Sequence, residues 1–195
     1  MTAQALDQNQ AVEATVGLIL AGLRPDCRAA MAHIHEKIDF AVAVFVVQGG
    51  KVLLVHHREL NAWLPVGGHI ELDEDPEQAA LREAREESGL EIELLGDRPC
   101  ISGPGTRALI APRFLDIHRI NPSHQHIGMI YWARPKAGRL KLATGEHWAI
   151  CWCGPEELDR LQPPLSPAVK WYCHKAIQEV TASSQPNVSD VVQTA

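Results

Sequence analysis

Residues 71–93 concentrate negative charge on and around one predicted helix. They hold ten of the 24 acidic residues of the chain, and only two arginines lie among them. Asp75 followed by Pro76 is typical of a helix start, because the Asp side chain caps free N–H groups and Pro needs no N–H in the first turn. Gln78 completes a capping box, and Gly89 is typical of a helix end. The sequence therefore predicts an acidic helix between Asp75 and Gly89.

The charged side chains of this helix are predicted to share one face. Glutamates this close repel one another by roughly a few tenths of a kcal/mol per exposed pair, and an arginine offsets only part of that repulsion. A bound divalent cation reverses the sign of this energy, and Mg²⁺ binds proteins through carboxylates together with substrate phosphates. The alternative is a solvated surface helix with Glu/Arg pairs. At about 100° per residue, the predicted charged arc is Arg82, Glu83, Glu86 and Glu87, and the predicted opposite arc is Ala80, Leu81, Ala84 and Ser88.

The order of residues around this helix resembles the Nudix box. Residues 68–90 read GHIELDEDPEQAALREAREESGL, in which a glycine, an isolated glutamate and an REAREE run stand at the spacing of that motif. Residues 63–65, Trp-Leu-Pro, resemble the usual approach strand, and residues 38–160 look like a bacterial Nudix domain. The resemblance implies an α/β fold, a Nudix-type α/β/α sandwich with a mixed β-sheet. It also implies Mg²⁺-dependent hydrolysis of a diphosphate bond in a nucleoside diphosphate linked to another group, with Mn²⁺ as a substitute ion.

The resemblance assigns metal-binding and catalytic roles to the glutamates of the box. Glu83, Glu86 and Glu87 would be metal ligands or the base that deprotonates water, with Glu83 chosen as the base and Glu86 counted beside it as catalytic. The carbonyl of Gly67 would be a further metal ligand. Glu146 is a candidate extra ligand, since related chains often carry an acid in this region, and a surface acid at a strand start is an equal alternative.

Other residues of the box are expected to support these groups. Arg82 would orient the glutamates by bidentate pairing, which Lys cannot copy, and it is counted as catalytic. Glu74 would brace the loop against the helix, while Gly68 and Gly89 are structural parts of the motif. Ala84 stands where a larger aliphatic residue is usual, which concerns packing rather than chemistry.

Four residues outside the acidic run are candidates for substrate binding. His69 follows the box glycine and is predicted to touch phosphate. His126 shares a strand face with His124 by period two, and with His118 this pair could bind a transition metal, line a substrate pocket or lie on the surface. Trp63 could stack on a base or belong to the core. The substrate-binding candidates are His69, Arg58, Trp63 and His126.

Length and composition predict one globular domain with flanking segments. The chain has 195 residues, 46% of them apolar, and a net charge of −6 that disfavours nucleic acid polymers as partners. The predicted division is an N-terminal helical extension over 1–37, the Nudix domain over 38–180 and a mobile C-terminal tail over 181–195. The apolar run at 16–23 is too short to cross a membrane, and five cysteines without paired spacing indicate reduced thiols. We expect a cytoplasmic protein that binds a small nucleotide and no membrane, with a homodimer as an open alternative for its assembly.

The remaining elements are predicted from hydrophobic periodicity and turn residues. A glycine turn at 49–50 is expected to join two strands, 40–47 and 51–57, in a hairpin. The other predicted strands are 61–66, 91–95, 108–120, 127–133 and 148–153, and the other predicted helices are 8–32 with an interruption, 156–161 and 167–180.

Two other functions and one other metal site stay open at this point. A Nudix-fold sensor would bind a nucleotide without cleaving it, but sensors tend to lose box carboxylates and none is missing here. A prenyl diphosphate isomerase shares the fold and uses histidine ligands with a catalytic cysteine. No cysteine lies near His124 or His126 in the sequence. Cys151, Cys153 and Cys173 with His174 could be drawn as a zinc site, although the C-x-C pair lacks the usual two-residue spacer. The box does not identify the substrate, because specificity in this fold rests on loops outside it.

Overall fold

The computed structural model describes residues 35–101 and 103–183. The helices predicted at 8–32 lie outside the described residues, as does the predicted tail beyond residue 183. The proposed boundaries between the three segments therefore stay predictions. Among the described helices, none is both long and apolar enough to cross a membrane.

Eight strands in the described part of the chain form one mixed sheet. They are β1 (Ile38–Gln48), β2 (Lys51–His57), β3 (Ala62–Leu64), β4 (Val66–His69), β5 (Leu90–Leu95), β6 (Phe114–Asn121), β7 (His124–Gly138) and β8 (His147–Cys153). The main path of the sheet is β3-β2-β1-β7-β5, with β4 beside β1, β6 beside β7 and β8 beside β2. The pairing of β1 with β7 is parallel, and β1 pairs antiparallel with β4 and with β2. The predicted mixed sheet is therefore confirmed.

Two α-helices of the described chain cover opposite faces of this sheet. They are α1 (Pro76–Ser88) and α2 (Pro167–Ala182). Successive side chains of β1 enter two different cores: Val44 packs in the core that contains residues of α1, and Phe45 in the core that contains residues of α2. A strand with both faces buried needs apolar residues at successive positions, which explains why residues 40–47 are continuously apolar. The arrangement is the predicted α/β/α sandwich.

Helix α1 begins and ends at the predicted residues. Asp75 Oδ1 accepts hydrogen bonds from the N–H groups of Glu77 and Gln78 at 2.9 and 3.1 Å. In return, Gln78 Oε1 accepts a hydrogen bond from the N–H of Asp75 at 2.9 Å. Gly89 ends the helix with a φ of +72°, a conformation that glycine adopts without a steric penalty. The capping box and the C-terminal glycine are confirmed.

The predicted faces of α1 are wrong at two positions. Glu87, assigned to the charged arc, is only 4% exposed, whereas Leu81, assigned to the apolar arc, is 43% exposed. The helix turns Glu87 toward Gly67 and His147, which hydrogen-bond to its buried carboxylate. Periodicity places side chains around a helix axis, but the direction of the core depends on where these distant partners lie.

The predicted hairpin of β1 and β2 is confirmed, although its strands soon separate. Gly49 and Gly50 form the turn with φ of +56° and +74°. The two strands pair at their last and first two residues. Beyond the turn, β1 lies between β4 and β7, and β2 lies between β3 and β8. The hairpin therefore divides its strands between two parts of the sheet.

The strand predicted over 108–120 is wrong in its first six residues, because β6 begins only at Phe114. The N–H of Ile110 donates to the carboxylate of Glu77, and Pro112 has no N–H to give to a neighbouring strand. The Glu77 carboxylate therefore accepts a hydrogen bond from a backbone N–H that would otherwise be available for strand pairing.

Other predicted elements differ in extent. Pro65 separates β3 from β4, so the single strand predicted over 61–66 is two strands. β7 extends beyond the predicted segment at both ends, and α2 continues past Thr181, the predicted start of the tail, to Ala182. The helix predicted over 156–161 is a short 3₁₀ turn.

Candidate active site

Two glycines in β4 allow its backbone to lie directly against β1 and α1. Gly67 has a φ of +155°, and a Cβ atom at this position would lie 2.1 Å from the carbonyl oxygen of Val42. A Cβ atom at Gly68 would lie 2.3 Å from Oε1 of Glu83. Any larger residue would collide with the β1 backbone or displace the carboxylate. The glycines therefore bring the β4 backbone, which includes the predicted ligand carbonyl, next to the acidic helix.

Arg82 joins the loop after β4 to the helix. Its Nε and Nη2 atoms donate to the two oxygens of Glu74 at 2.6 and 2.8 Å. Nη1 donates to Glu83 Oε1 at 2.8 Å and to Glu86 Oε2 at 3.3 Å, and Nη2 donates to the carbonyl oxygen of His69 at 3.1 Å. The hydrogen bonds to Glu74 and Glu83 raise the pKa of Arg82, so the guanidinium stays charged. Its planar fork fixes the orientation of two box glutamates.

Glu83 has a carboxyl group suited to proton exchange near neutral pH. Its side chain is only 13% exposed. Burial and the negative charge of Glu87 raise the pKa of Glu83 to about 7, against the opposing effect of Arg82. A carboxyl group with a pKa close to the working pH can accept a proton and release it again. This property suits the general base predicted at this position.

Glu87 is a buried carboxylate held by two neighbours. Its Oε2 accepts a hydrogen bond from the N–H of Gly67 at 2.8 Å, and its Oε1 lies 2.8 Å from Nε2 of His147. Burial raises the pKa of Glu87, although the hydrogen bonds from His147 and Gly67 act in the opposite direction. Potential ligand atoms of Glu87, Glu146 and His147 all lie within 4.8 Å of one another. The structure thus brings Glu146, the candidate extra ligand, to the buried end of the box.

His147 directly follows Glu146 but has no sequence signal of a functional role. A lone histidine at a strand start shows no ligand spacing, and its partner Glu87 lies 60 residues earlier in the chain. The side chain is fully buried, and its Nδ1 has no hydrogen-bond partner among the described residues. Its role becomes visible only in the structure, where it lies buried beside a candidate acidic ligand.

Glu86 faces the solvent, beside an open cavity. Its side chain is 62% exposed, in contrast to the buried Glu87 one residue later. A cavity of about 720 Å³ lies along this side of α1 and is bordered by the segment that precedes β8. Three of its residues carry positive charge, which suits a phosphorylated ligand. The lining residues are Arg82, Arg85, Glu86, Gly89, Lys141, Leu142, Ala143 and Thr144.

Arg58, a substrate-binding candidate, supports the segment that carries the extra acid. Its N–H donates to the carbonyl oxygen of Glu146 at 2.9 Å, and its Nε donates to that of His147 at 3.2 Å. Its guanidinium carbon lies 4.1 Å from the centre of the Trp148 ring, in a cation–π contact. These contacts fix the start of β8 relative to the end of β2.

Trp63, the candidate for stacking on a base, lies in the core. It is 9% exposed, its indole Nε1 donates to the carbonyl oxygen of Gln162 at 3.0 Å, and its ring stacks on His56 at 4.9 Å. The structure therefore places Trp63 in protein packing, which is the core alternative given above.

His69 and His126, the remaining two candidates, lie side by side. Their Nε2 atoms are 3.1 Å apart, and His69 Nε2 is 3.4 Å from the carboxylate of Asp39. His124 shares the strand face of His126, as predicted, with ring centres 5.2 Å apart. Burial lowers the pKa of His126 to about 4, and the neighbouring histidines add to this effect. Asp39 also contacts this group, although it lies far from these histidines in the chain and no sequence spacing links it to them.

The alternative zinc site at the cysteines does not form in the described residues. Cys173 is buried and His174 is exposed, since successive residues of a helix point about 100° apart. Cys151 and Cys153 lie on one face of β8 with their sulfur atoms 3.1 Å apart, and both are free thiols. The interpretation as reduced thiols fits this arrangement.

Comparisons with known proteins place the fold and the box in one family. The NUDIX domain model matches residues 37–172. CTP pyrophosphohydrolase of Escherichia coli (strain K12) is 32% identical over 136 residues, which are 68% of this chain and 86% of that protein. A NUDIX family hydrolase from Clostridium perfringens is 31% identical, with a TM-score of 0.64 over 73% of this chain and 97% of that chain. A MutT NUDIX hydrolase from Burkholderia pseudomallei, 22% identical, shares the fold with a TM-score of 0.54 over 74% of this chain and 99% of that chain. The chain therefore belongs to the Nudix family of hydrolases.

Proposed function

We propose that this chain is a Mg²⁺-dependent pyrophosphohydrolase that cleaves a diphosphate bond in a nucleoside diphosphate linked to another group. The observation that carries the proposal is the complete acidic set of the box. Glu83 and Glu86 accept hydrogen bonds from Arg82. Potential ligand atoms of Glu87 and Glu146 lie within 4.8 Å of each other. The similarity to CTP pyrophosphohydrolase of Escherichia coli supports nucleoside triphosphates, with CTP first, as members of the substrate class to be tested.

The donor set fits a hard divalent cation. Glu83, Glu86, Glu87 and Glu146 offer carboxylate oxygens, and Gly67 offers a carbonyl oxygen, which are the ligand types that Mg²⁺ prefers. The burial that raises the pKa values of Glu83 and Glu87 disfavours their charged forms, and a nearby cation would favour them. When bound, Mg²⁺ or its substitute Mn²⁺ supplies charge neutralisation at the phosphates and lowers the pKa of water.

The side chains of the site perform the remaining steps. Glu83, the general base of this proposal, accepts a proton from the attacking water. The water oxygen forms a bond to phosphorus while the bridging P–O bond of the diphosphate breaks, and the departing phosphate keeps that electron pair. Arg82 holds Glu83 in position, and Glu87 holds the β4 backbone through the N–H of Gly67.

The cavity along α1 is the proposed entrance for the phosphates. Arg85 and Lys141 line it together with Glu86, so it combines positive charge with one acidic group of the box. The nucleoside would extend beyond this cavity toward loops outside the box.

Location and assembly form part of the same proposal. Free thiols at all four described cysteines fit a reducing compartment such as the cytoplasm. A homodimer is supported by β6, an edge strand on which Leu115 and Ile117 are more than half exposed. Light scattering coupled to size-exclusion chromatography measures the oligomeric state directly.

The proposal is tested by substitution of the exposed box glutamate. Purified protein with Mg²⁺ is incubated with CTP, other nucleoside triphosphates, nucleoside diphosphate sugars, ADP-ribose and dinucleoside polyphosphates. We expect cleavage of at least one of them, and we expect Glu86→Gln to lower kcat by about a hundredfold or more, since it removes a carboxylate ligand of the proposed cation. Because Glu86 is 62% exposed, the variant is expected to fold normally. Glu93→Gln, an exposed acid on β5, is the matched control.

Three outcomes contradict the proposal. Wild-type turnover in both Glu86→Gln and Glu87→Gln would remove the box from the reaction. Nucleotide binding without cleavage of any compound would identify a sensor. Conversion of isopentenyl diphosphate to dimethylallyl diphosphate, without hydrolysis of nucleotides, would identify an isomerase.

A further inference from the structure

Four side chains from three strands meet beside Gly67 and Gly68, the glycine pair of β4. They lie on the side of β4 that faces β1 and β7. Asp39 comes from β1, His69 from β4, and His124 and His126 from β7. One potential ligand atom of each lies within 4.8 Å of all the others. The strand register produces this meeting, because Asp39 lies opposite His126 and the residue two positions further along β1, Ala41, lies opposite His69.

The spacing of these atoms matches a tetrahedral metal site. The Nε2 atoms of His69 and His126 are 3.1 Å apart. Oδ2 of Asp39 lies 3.4 Å from His69 Nε2 and 3.2 Å from His124 Nε2. Zinc bonds of about 2.0–2.1 Å place neighbouring ligand atoms of a tetrahedron at about 3.3 Å from one another. The measured distances scatter around that value.

Neighbouring backbone groups orient two of these side chains for such a role. The Nδ1 atom of His124 lies 3.3 Å from the carbonyl oxygen of Glu36, so a proton on Nδ1 leaves Nε2 as the electron-pair donor. The N–H of His35 donates to Oδ1 of Asp39 at 2.6 Å, which leaves Oδ2 toward the histidines. Metal-binding histidines commonly have their second nitrogen fixed in this way.

Burial and ligand type decide which ion would fit. Asp39, His124 and His126 are 0%, 3% and 6% exposed, and His69 closes the group from the less buried side. Three imidazoles with one carboxylate suit Zn²⁺ and related transition-metal ions, whereas Mg²⁺ prefers oxygen ligands. Four protein ligands with little solvent access are typical of a closed structural site.

We infer that Asp39, His69, His124 and His126 form a structural site for a Zn²⁺-class ion, separate from the carboxylates of the box. The ion joins β1, β4 and β7 at the end of the glycine pair. The carbonyl oxygen of His69 accepts a hydrogen bond from Arg82 at 3.1 Å, so the site also fixes the backbone from which the box begins.

The inference is tested by metal titration of the full-length protein. The protein is stripped with a chelator, returned to buffer with excess Mg²⁺ to occupy the carboxylates, and titrated with Zn²⁺ by calorimetry. We expect one Zn²⁺ ion per chain, and Co²⁺ in its place is expected to give the intense visible absorption of a tetrahedral site. His126→Gln and His69→Gln are each expected to weaken Zn²⁺ binding by about a hundredfold or more. Glu86→Gln is expected to bind Zn²⁺ like the wild type.

His118→Gln is the matched control, because this half-exposed histidine contacts the His126 ring but hydrogen-bonds to Asp116 instead of joining the four ligands. It is expected to leave Zn²⁺ affinity unchanged. The inference is overturned if the wild type takes up no Zn²⁺, if the Co²⁺ spectrum is that of an octahedral ion, or if His118→Gln weakens binding as much as His126→Gln. His69 has the most exposed side chain of the ligands, so its variant stays informative if the His126 variant fails to fold.

Discussion

At the scale of single residues, Arg82 determines the geometry of the candidate site. It donates to Glu74, Glu83, Glu86 and the carbonyl oxygen of His69, and its side chain is only 26% exposed. Glu74 and His69 belong to β4 and the loop that follows it, whereas Glu83 and Glu86 belong to α1. The planar side chain of Arg82 therefore fixes the position of this loop relative to the helix.

Arg82→Lys is expected to destabilise the protein although it keeps the charge. A lysine ammonium cannot reproduce the two parallel hydrogen bonds to Glu74 while it also reaches Glu83, so we expect the free energy of unfolding to fall by about 2 kcal/mol. Chemical denaturation at neutral pH measures this change. Arg85→Lys, an exposed position on the same helix, is the control. Equal stability of the two variants would contradict the structural role of Arg82.

Local chemistry explains which residues of the site the sequence could predict. Asp75, Gln78 and Gly89 act on backbone groups within a few positions, so their roles at the ends of α1 follow from sequence alone. Asp39 and His147 act on partners far away in the chain, and no local spacing reveals them. The burial of Glu87 was missed for the same reason.

At the scale of elements, the contact between β4 and α1 depends on the absence of side chains. Gly68 lies so close to Glu83 that any Cβ atom would overlap its carboxylate. Strand β4 also pairs with β1 through residues 66–69, so the glycine cannot retreat without breaking the sheet. The Glu83 side chain is the group that has to move.

Gly68→Ala is expected to reduce turnover by displacing Glu83. Since the added methyl group would lie 2.3 Å from Oε1, the carboxylate has to rotate away from Arg82, and misplacement by about 1 Å costs on the order of a hundredfold in rate. Steady-state kinetics on the substrate found by the screen measures the loss. Gly103→Ala, where the nearest atom would be at an ordinary 3.5 Å, is the comparison. Unchanged kcat in Gly68→Ala would show that Glu83 tolerates the displacement.

Elements with local signals were predicted well and those with distant partners were not. The hairpin of β1 and β2 follows from its glycine turn, and α1 follows from its caps. The strand predicted from Ala108 fails because the carboxylate of Glu77, on another element, takes the N–H of Ile110. A hydrophobic pattern carries no information about a distant side chain that hydrogen-bonds to the backbone of the predicted strand.

At the scale of the whole molecule, Glu179 connects α2 to the sheet. Its carboxylate accepts hydrogen bonds from Arg113 at 2.8 and 3.1 Å and from the indole of Trp132 at 2.9 Å. The hydrogen bonds from Arg113, in the first place, lower the pKa of Glu179 to about 2. This carboxylate therefore favours the folded state while it is ionised.

The contribution of Glu179 to stability is expected to depend on pH. A carboxyl group whose pKa is lower in the folded chain stabilises that state above its unfolded value of 4.5, and the stabilisation disappears as the pH falls toward about 2. Since Arg113 is half exposed, we expect Glu179→Gln to cost about 1 kcal/mol at pH 7. Chemical denaturation at several pH values should show that the free energies of unfolding of the wild type and of Glu179→Gln become equal in acid. Glu156→Gln, an exposed acid, is the control, and a difference that does not vary with pH would contradict the prediction.

The parallel pairing of β1 with β7 also has a consequence for biosynthesis. Glu36 and His124, at the start of these strands, meet although 88 residues separate them in the chain. On the ribosome, β1 emerges long before its neighbour exists, with apolar side chains for both cores uncovered on the nascent polypeptide. Until β7 leaves the exit tunnel, the centre of the sheet cannot assemble, so the emerging chain exposes aggregation-prone apolar surface during this interval.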